Sequence, residues 1–276
     1  ADSMQVYSDL RILTARPSKE EQASLSHKLY GYRDGAEACT AAGWALDAAR
    51  EIRNAHRVEM VPILVGGTGL YIKAVIEGIA YTPVIPDEVK KAARRLRLEQ
   101  GQDALYESLK VKDPVGAARI SPKDRQRVLR AWEVKEATGK PLHFWQGQPI
   151  QKPLPEARYF SVLLQPPREE LYAVCDRRFS EMLDRGALDE VEALMMRALD
   201  PGLPVMKALG VPELAAFLAG ETSREEAIRR AQQHTRNYAK RQMTWFRNQF
   251  HASETFNKKY YESFFNKIFP KIRQFL

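Results

Sequence analysis

Val61-Pro62-Ile63-Leu64-Val65-Gly66-Gly67-Thr68-Gly69-Leu70-Tyr71-Ile72-Lys73-Ala74-Val75 is the stretch on which the fold turns. Ile63, Leu64 and Val65 form a short apolar run without alternation, the pattern of a strand buried on both faces of a parallel sheet. Gly66 to Gly69 break that run. Beyond them Leu70, Ala74, Val75 and Gly78 approach helical spacing, so the order is strand, Gly-rich turn, helix. In that layout backbone N–H groups at the helix start can meet an anion. Thr68 stands at the start, where its hydroxyl either caps the helix or touches a phosphate. A short Gly motif does not choose between the two.

Working upstream, Ala36–His56 reads as a helix with Ala45, Ala48, Ala49 and Ile52 on one side and Trp44 beside them. Helix, strand and helix in succession predict an α/β class with a parallel sheet flanked by helices. Ala1–Tyr7 reads as the end of a strand running into a loop. That puts Asp2 at a carboxyl end, where open α/β sheets bind ligands. A carboxylate there acts as a general base or simply caps a turn. The chain opens on Ala1 and on what reads as the middle of an element, so a further segment is expected ahead of it.

Working downstream, the prolines at 83 and 86 mark a boundary. Helices are expected at Glu88–Gln100, Asp103–Val111, Pro114–Ile120 and Lys123–Thr138, as a mainly helical insertion. The predicted division is a body at 1–80 and 154–253, an insertion at 81–153 and a tail at 254–276. Tyr159–Leu164 is a second apolar run that returns to the sheet. Arg168–Ala198 is amphipathic and broken near Gly186. Ser223-Arg224-Glu225-Glu226 is a capping box that opens the last long helix. Its buried stripe is Ile228, Ala231, Thr235, Ala239, Gln242, Phe246 and Phe250.

Bulk properties narrow the function. The chain has 276 residues and a formal net charge of +8, which favours polyanionic partners. No window approaches the roughly 18 apolar residues of a membrane helix. Cys39 and Cys175 are far apart, which fits a reducing compartment and no disulfide framework. The histidines show no zinc spacing.

Three basic groups stand out. Arg229, Arg230, Arg236, Lys240, Arg241 and Arg247 share the last helix with Tyr238, Trp245 and Phe246, and no acidic residue lies between Ala227 and Ser253. Positive charge interleaved with aromatics suits a nucleic-acid backbone and unstacked bases, although a solvated helix face has the same pattern. Lys123, Arg125, Arg127 and Arg130 form a second group, with Asp124 placed to cap or pair. Arg177 and Arg178 precede Phe179, where an Arg either clamps a phosphate or pairs with Asp176 or Glu181.

Several short motifs occur in a fixed order. They are Asp2-Ser3-Met4-Gln5-Val6-Tyr7, Thr14-Ala15-Arg16-Pro17, His27-Lys28-Leu29-Tyr30 and Val65-Gly66-Gly67-Thr68-Gly69-Leu70-Tyr71. Asp124-Arg125-Gln126-Arg127, Arg130-Ala131-Trp132-Glu133, Arg178-Phe179 and Lys240-Arg241-Gln242-Met243-Thr244-Trp245-Phe246-Arg247 follow. The ordered set, from residue 2 to about 250, resembles the bacterial tRNA dimethylallyltransferases, or isopentenyltransferases. The resemblance implies a P-loop NTPase-like α/β core with a helical insertion, and a nucleotide-binding type of site. It implies transfer of a dimethylallyl group from its diphosphate to N6 of adenosine 37, beside the tRNA anticodon. Asp2 would then be the general base, Thr68 a ligand of the diphosphate and of Mg²⁺, and Arg178 a diphosphate clamp, with Gly66 and Gly67 lining the diphosphate. Contacts to the tRNA anticodon stem-loop would come from Ser3, Met4, Gln5, Asp124, Gln126, Arg127, Arg130, Arg236, Lys240, Arg241, Gln242 and Arg247. A cytoplasmic monomer without membrane partners is implied. The family's phosphate loop, ending Gly-Lys-[Ser/Thr], does not occur in the chain and is expected ahead of Ala1. Two rival readings are a non-catalytic RNA-binding module and a P-loop nucleotide kinase-like enzyme.

Overall fold

A computed structural model of the protein describes residues 1–258 and 264–276. The chain divides into two units, one of Ala1–Ile76 with Pro153–Leu276 and one of Glu77–Lys152.

In the first unit, α1 (Lys19–Ser24) is held by a complete capping box. The Ser18 hydroxyl accepts from the Glu21 N–H (3.1 Å), and the Glu21 carboxylate accepts from the Ser18 N–H (2.7 Å). The Thr40 hydroxyl caps α2 (Ala41–Arg57), accepting from the Gly43 N–H at 3.1 Å. Trp44, Ala45, Ala48 and Ala49 fall on one helical face and are buried. That face packs on α3 (Gly69–Ile76), with the Trp44 and Tyr71 rings 5.0 Å apart. Leu70, expected on the packing side of α3, is exposed; Tyr71, Ile72, Ala74 and Val75 are the buried residues.

The run before α3 is not the doubly buried strand its composition predicts. Residues 61–65 have no strand assignment, and Ile63 and Val65 are 77% and 62% exposed. An apolar run becomes a buried strand only when neighbours bond along its edges and layers cover its faces. Here the Ala1 amino group donates to the Val65 carbonyl (2.6 Å), and no ladder forms along the run among the described residues.

The second unit is helical. It holds α4 (Asp87–Lys112), α5 (Pro114–Ala117), α6 (Arg125–Thr138) and α7 (Leu142–Gln146). Gly101, expected to end a helix, instead kinks α4 with a φ of +90°, a value an L side chain rarely adopts. Ala93, Leu105, Leu109, Ala117, Val128, Ala131 and Trp132 form its core. The Trp132 indole N–H is satisfied by the Ser108 hydroxyl at 2.9 Å. Gly139 ends α6 in the left-handed conformation.

Back in the first unit, β1 (Val162–Leu164) leads to α8 (Arg168–Asp184), α9 (Ala187–Met196), a 3₁₀ turn at Val205–Lys207, α10 (Val211–Leu218) and α11 (Arg224–Gln249). The chain then returns as β2 (Glu254–Phe256) and ends in α12 (Phe265–Phe275). β1 and β2 pair in parallel, with Val162 opposite Glu254, Leu163 opposite Thr255 and Leu164 opposite Phe256. The segment set apart by sequence as a tail thus supplies a strand, because a parallel pair needs a long crossover and the helices between β1 and β2 provide it. Residues 259–263 of that segment lie outside the described residues. Tyr7 and Arg33 make a separate parallel bridge. α11 packs along α8 and α10 and touches α3. No helix among the described residues is long and apolar enough to cross a membrane.

Candidate active site

Two loops of the first unit are laced together around Asp2 and Thr68. Asp2 does not end a strand. Its Oδ1 accepts from the Met4 N–H (2.8 Å) and the Gln5 N–H (3.1 Å), so the carboxylate folds its own loop into an Asx turn. The next residue makes the join: the Ser3 N–H donates to Thr68 Oγ1 at 3.1 Å. In return the Thr68 N–H donates to the Ala1 carbonyl at 3.1 Å. The approach is close enough to require glycine. A Cβ on Gly66 would lie 2.1 Å from the Ala1 carbonyl oxygen.

Thr68 precedes α3, and its carbonyl accepts from the Tyr71 and Ile72 N–H groups. Its hydroxyl accepts from another loop, the one that carries Asp2. Helix α11 closes the third side. Gln242 Nε2 donates to the Gly67 carbonyl at 2.9 Å, and the Trp245 ring lies against Gly69. Gln242 therefore faces the Gly-rich turn.

The Asp2 charge acts on two phenols that sequence reasoning did not assign to the site. Tyr238 on α11 reaches Thr68 and Gln242, and burial pushes its phenol above the ordinary value, with the Asp2 charge adding to the rise. Tyr30 is raised by burial first and by the Asp2 charge second. The available signals were modest: Tyr30 closes the His27–Tyr30 motif, and Tyr238 is one of the aromatics spaced along the basic helix.

The other predicted residues are distributed as follows. Arg178 is exposed on α8, and among the described residues no hydrogen bond or ion pair ties it to Asp2 or Thr68. Its charge acts on Cys175, whose thiol is pushed up chiefly by burial. The neighbouring Arg177 pairs with Glu181 at 3.5 Å. Gln5 is engaged within its own unit, its Nε2 donating to the Thr14 and Ala15 carbonyls, both at 2.9 Å.

The view of the last helix as uncompensated positive charge needs correction. Arg236 is locked to Asp176 on α8, with Nη1 2.6 Å from both carboxylate oxygens. Arg229 and Arg230 both bond Glu226 at the start of α11, which holds that carboxyl at about 2. The acids lie outside the Ala227–Ser253 window, one a turn upstream and one on another helix. Lys240, Arg241 and Arg247 remain exposed, with no ion pair among the described residues. The Arg241 guanidinium lies 5.5 Å from the centre of the Tyr238 ring.

In the helical unit, Asp124 caps α6 by accepting from the Arg127 N–H (3.1 Å) and pairs with the Arg127 side chain (3.3 Å). Gln126 and Arg127 are exposed, and Arg130 lies 3.8 Å from the buried Glu133. Among the described residues no three His, Cys, Asp or Glu side chains gather as a metal cage.

Comparison with known proteins bears on this arrangement. A family model described as IPP transferase matches residues 5–249. The chain is similar to the tRNA dimethylallyltransferase of Rhodospirillum centenum, 52% identical over 257 residues, 93% of this chain and 82% of that protein. It is also similar to the tRNA dimethylallyltransferase of Novosphingobium aromaticivorans, 51% identical over 249 residues, 90% of this chain and 87% of that protein. Among solved structures it resembles a tRNA isopentenylpyrophosphate transferase from Bacillus halodurans, with 30% identity and a TM-score of 0.67 over 99% of this chain and 86% of the other. A eukaryotic dimethylallyltransferase acting on tRNA aligns at 27% identity and a TM-score of 0.65, over 89% of this chain and 62% of the other. The α/β class with a P-loop-like core is the fold of these solved relatives. The match over residues 5–249 gives no support to the expectation that a phosphate-loop segment has been lost from the start of the chain.

Proposed function

We infer that this chain, which belongs to the IPP transferase family, transfers a dimethylallyl group from dimethylallyl diphosphate to tRNA. The acceptor in this reading is N6 of adenosine 37, beside the anticodon. The C–O bond to diphosphate breaks, a C–N bond forms, and one N6 proton leaves to Asp2.

The observation that carries the reading is the Ser3 N–H bond to Thr68 Oγ1, which couples the loop of the Asp2 carboxylate to the Gly-rich turn. An exocyclic adenine amine is a poor nucleophile. Losing a proton as the C–N bond forms helps it, and a positioned base typically contributes about 10²–10⁴-fold. Asp2 suits that role because the Met4 and Gln5 N–H groups orient its carboxylate and leave the second oxygen for the amine. Diphosphate departs more easily when donors and cations take up its charge. Thr68 supplies a hydroxyl there, and Arg178 is the cation this reading assigns. Mg²⁺ suits hard oxygen donors and substrate phosphates. The Thr68 hydroxyl is such a donor, and the metal would neutralise charge on the diphosphate.

An adenosine in an anticodon loop must leave its stack, which costs a few kcal/mol. Contacts from Lys240, Arg241 and Arg247 to backbone phosphates offset that cost. Arg127 and Arg130 are assigned the same work by the helical unit. The two cysteines are unbridged, which suits a reducing compartment such as the cytoplasm.

The test is direct. Protein, dimethylallyl diphosphate, Mg²⁺ and unmodified tRNA are incubated, and the digested nucleosides are weighed by mass spectrometry. N6-dimethylallyladenosine is expected. Asp2→Asn keeps an Oδ1 for the turn but cannot take a proton, so turnover should fall by about 10²-fold or more while tRNA affinity holds. Absence of product from the wild-type chain, or an Asp2→Asn variant as active as wild type, rejects the reading.

A further inference from the structure

Glu190, on α9, is a carboxylate that none of the steps above uses. Its Oε1 accepts from the Arg11 N–H and from the Ile12 N–H (2.9 Å). Its Oε2 accepts from the Ile12 N–H (3.1 Å) and the Leu13 N–H (3.0 Å). Three successive backbone N–H groups converging on one anion make a nest. Charge-assisted bonds of this kind are roughly twice as strong as neutral ones.

The loop seated on Glu190 leads to the site. Within it the Thr14 hydroxyl donates to the Leu10 carbonyl (2.7 Å), and the Arg16 guanidinium donates to the Ser8 carbonyl (3.1 Å). Ala15 is held at a φ of +51°, which is uncommon for a residue with a Cβ and persists only where the surroundings enforce it. The carbonyls of Thr14 and Ala15 are the two that fix the Gln5 side chain. The Gln5 backbone N–H is in turn one of the two that orient Asp2. A continuous set of bonds therefore runs from α9, through residues 11–15 and Gln5, to the carboxylate at the site.

We propose that Glu190 is a positioning residue, which sets the Arg11–Ala15 loop and, through Gln5, the aim of the Asp2 carboxylate. The proposal rests on the reading of Asp2 as the base. A displacement of about 1 Å at a reacting group costs up to 10²-fold in rate, so a loose nest is felt as lost turnover.

Glu190→Gln is the informative variant. It keeps the volume but turns an amide donor toward backbone donors. Val191→Ala is its control, removing a fully buried side chain from the same helix while leaving the nest intact. In Glu190→Gln, amide exchange at residues 11–13 and at Met4 and Gln5 should quicken by about ten-fold or more. Its kcat should fall by a similar factor, with the KM for dimethylallyl diphosphate within about three-fold of wild type. Val191→Ala should lower the thermal midpoint at least as much and leave kcat near wild type. Wild-type exchange at Met4 and Gln5 in Glu190→Gln overturns the proposal, as does a kcat loss no larger than that of Val191→Ala. The exchange measurement needs no turnover. A wild-type chain that forms no product therefore rejects the reaction, while the coupling from Glu190 to Asp2 is still judged.

Discussion

Glu133 illustrates what one residue contributes beyond its formal charge. It is buried in the helical unit, and burial raises its carboxyl above the ordinary range; Arg130 opposes that rise most, then Arg94 and Lys90. The folded chain thus holds this proton more tightly than the unfolded chain does. Stability is fully present below the unfolded value of about 4.3 and declines as pH rises through the higher folded value. Glu133→Gln removes the titration. The thermal midpoint of wild type relative to Glu133→Gln should therefore fall as pH is raised through that window and level off above it. A difference that stays flat or rises with pH contradicts the assigned direction.

At the scale of elements, the decisive contact is α11 against the start of α3. A Cβ on Gly69 would lie 2.2–2.5 Å from three atoms of the Trp245 ring. A bulky ring wedged between two helices cannot retreat by a rotamer change alone. Gly69→Ala should lower stability by about 1–3 kcal/mol, read as a lower denaturation midpoint. Trp245→Leu in the same chain should recover part of the loss, since it removes the clashing atoms. A Gly69→Ala variant as stable as wild type would mean that α11 does not press on the turn. The periodicity of α11 and its capping box are legible in sequence because they repeat within a turn or two. What the helix presses against is not, because Gly69 and Trp245 belong to distant parts of the chain.

At the scale of the whole molecule, the net charge of +8 sets long-range attraction for a polyanion, and individual side chains decide how it is used. Lys240, Arg241 and Arg247 are exposed cations, whereas Arg236 is spent on Asp176. Lys240→Ala and Arg247→Ala should each weaken tRNA binding and make its salt dependence shallower, by a log–log slope of about 0.7–0.9 per lost phosphate contact. Arg236→Ala should instead act mainly on stability, because it leaves Asp176 without its partner, and should leave the slope near wild type. Titrations over a range of salt concentrations separate the two kinds of arginine. Equal slope changes for all three variants would mean that the Asp176 pair opens when tRNA binds.

Much was legible in the one-dimensional pattern. Helix periods, the cap at Ser223, the helical run after Pro86 and the ordered motifs around Asp2 and Thr68 all depend on residues a few positions apart. Local sterics and local hydrogen bonds govern such features, so the order of residues suffices to determine them. The tertiary structure alone decided that Ile63 and Val65 are exposed, that Asp176 neutralises Arg236, and that the Asp2 charge acts on Tyr30 and Tyr238. It alone also put Glu190 under the N–H groups of residues 11–13. Each of these pairings joins groups far apart along the chain, 60 positions for Arg236 with Asp176 and 177 for Leu13 with Glu190. Burial and charge compensation are properties of whatever surface the folded path brings alongside, and no periodicity in the chain encodes that neighbour.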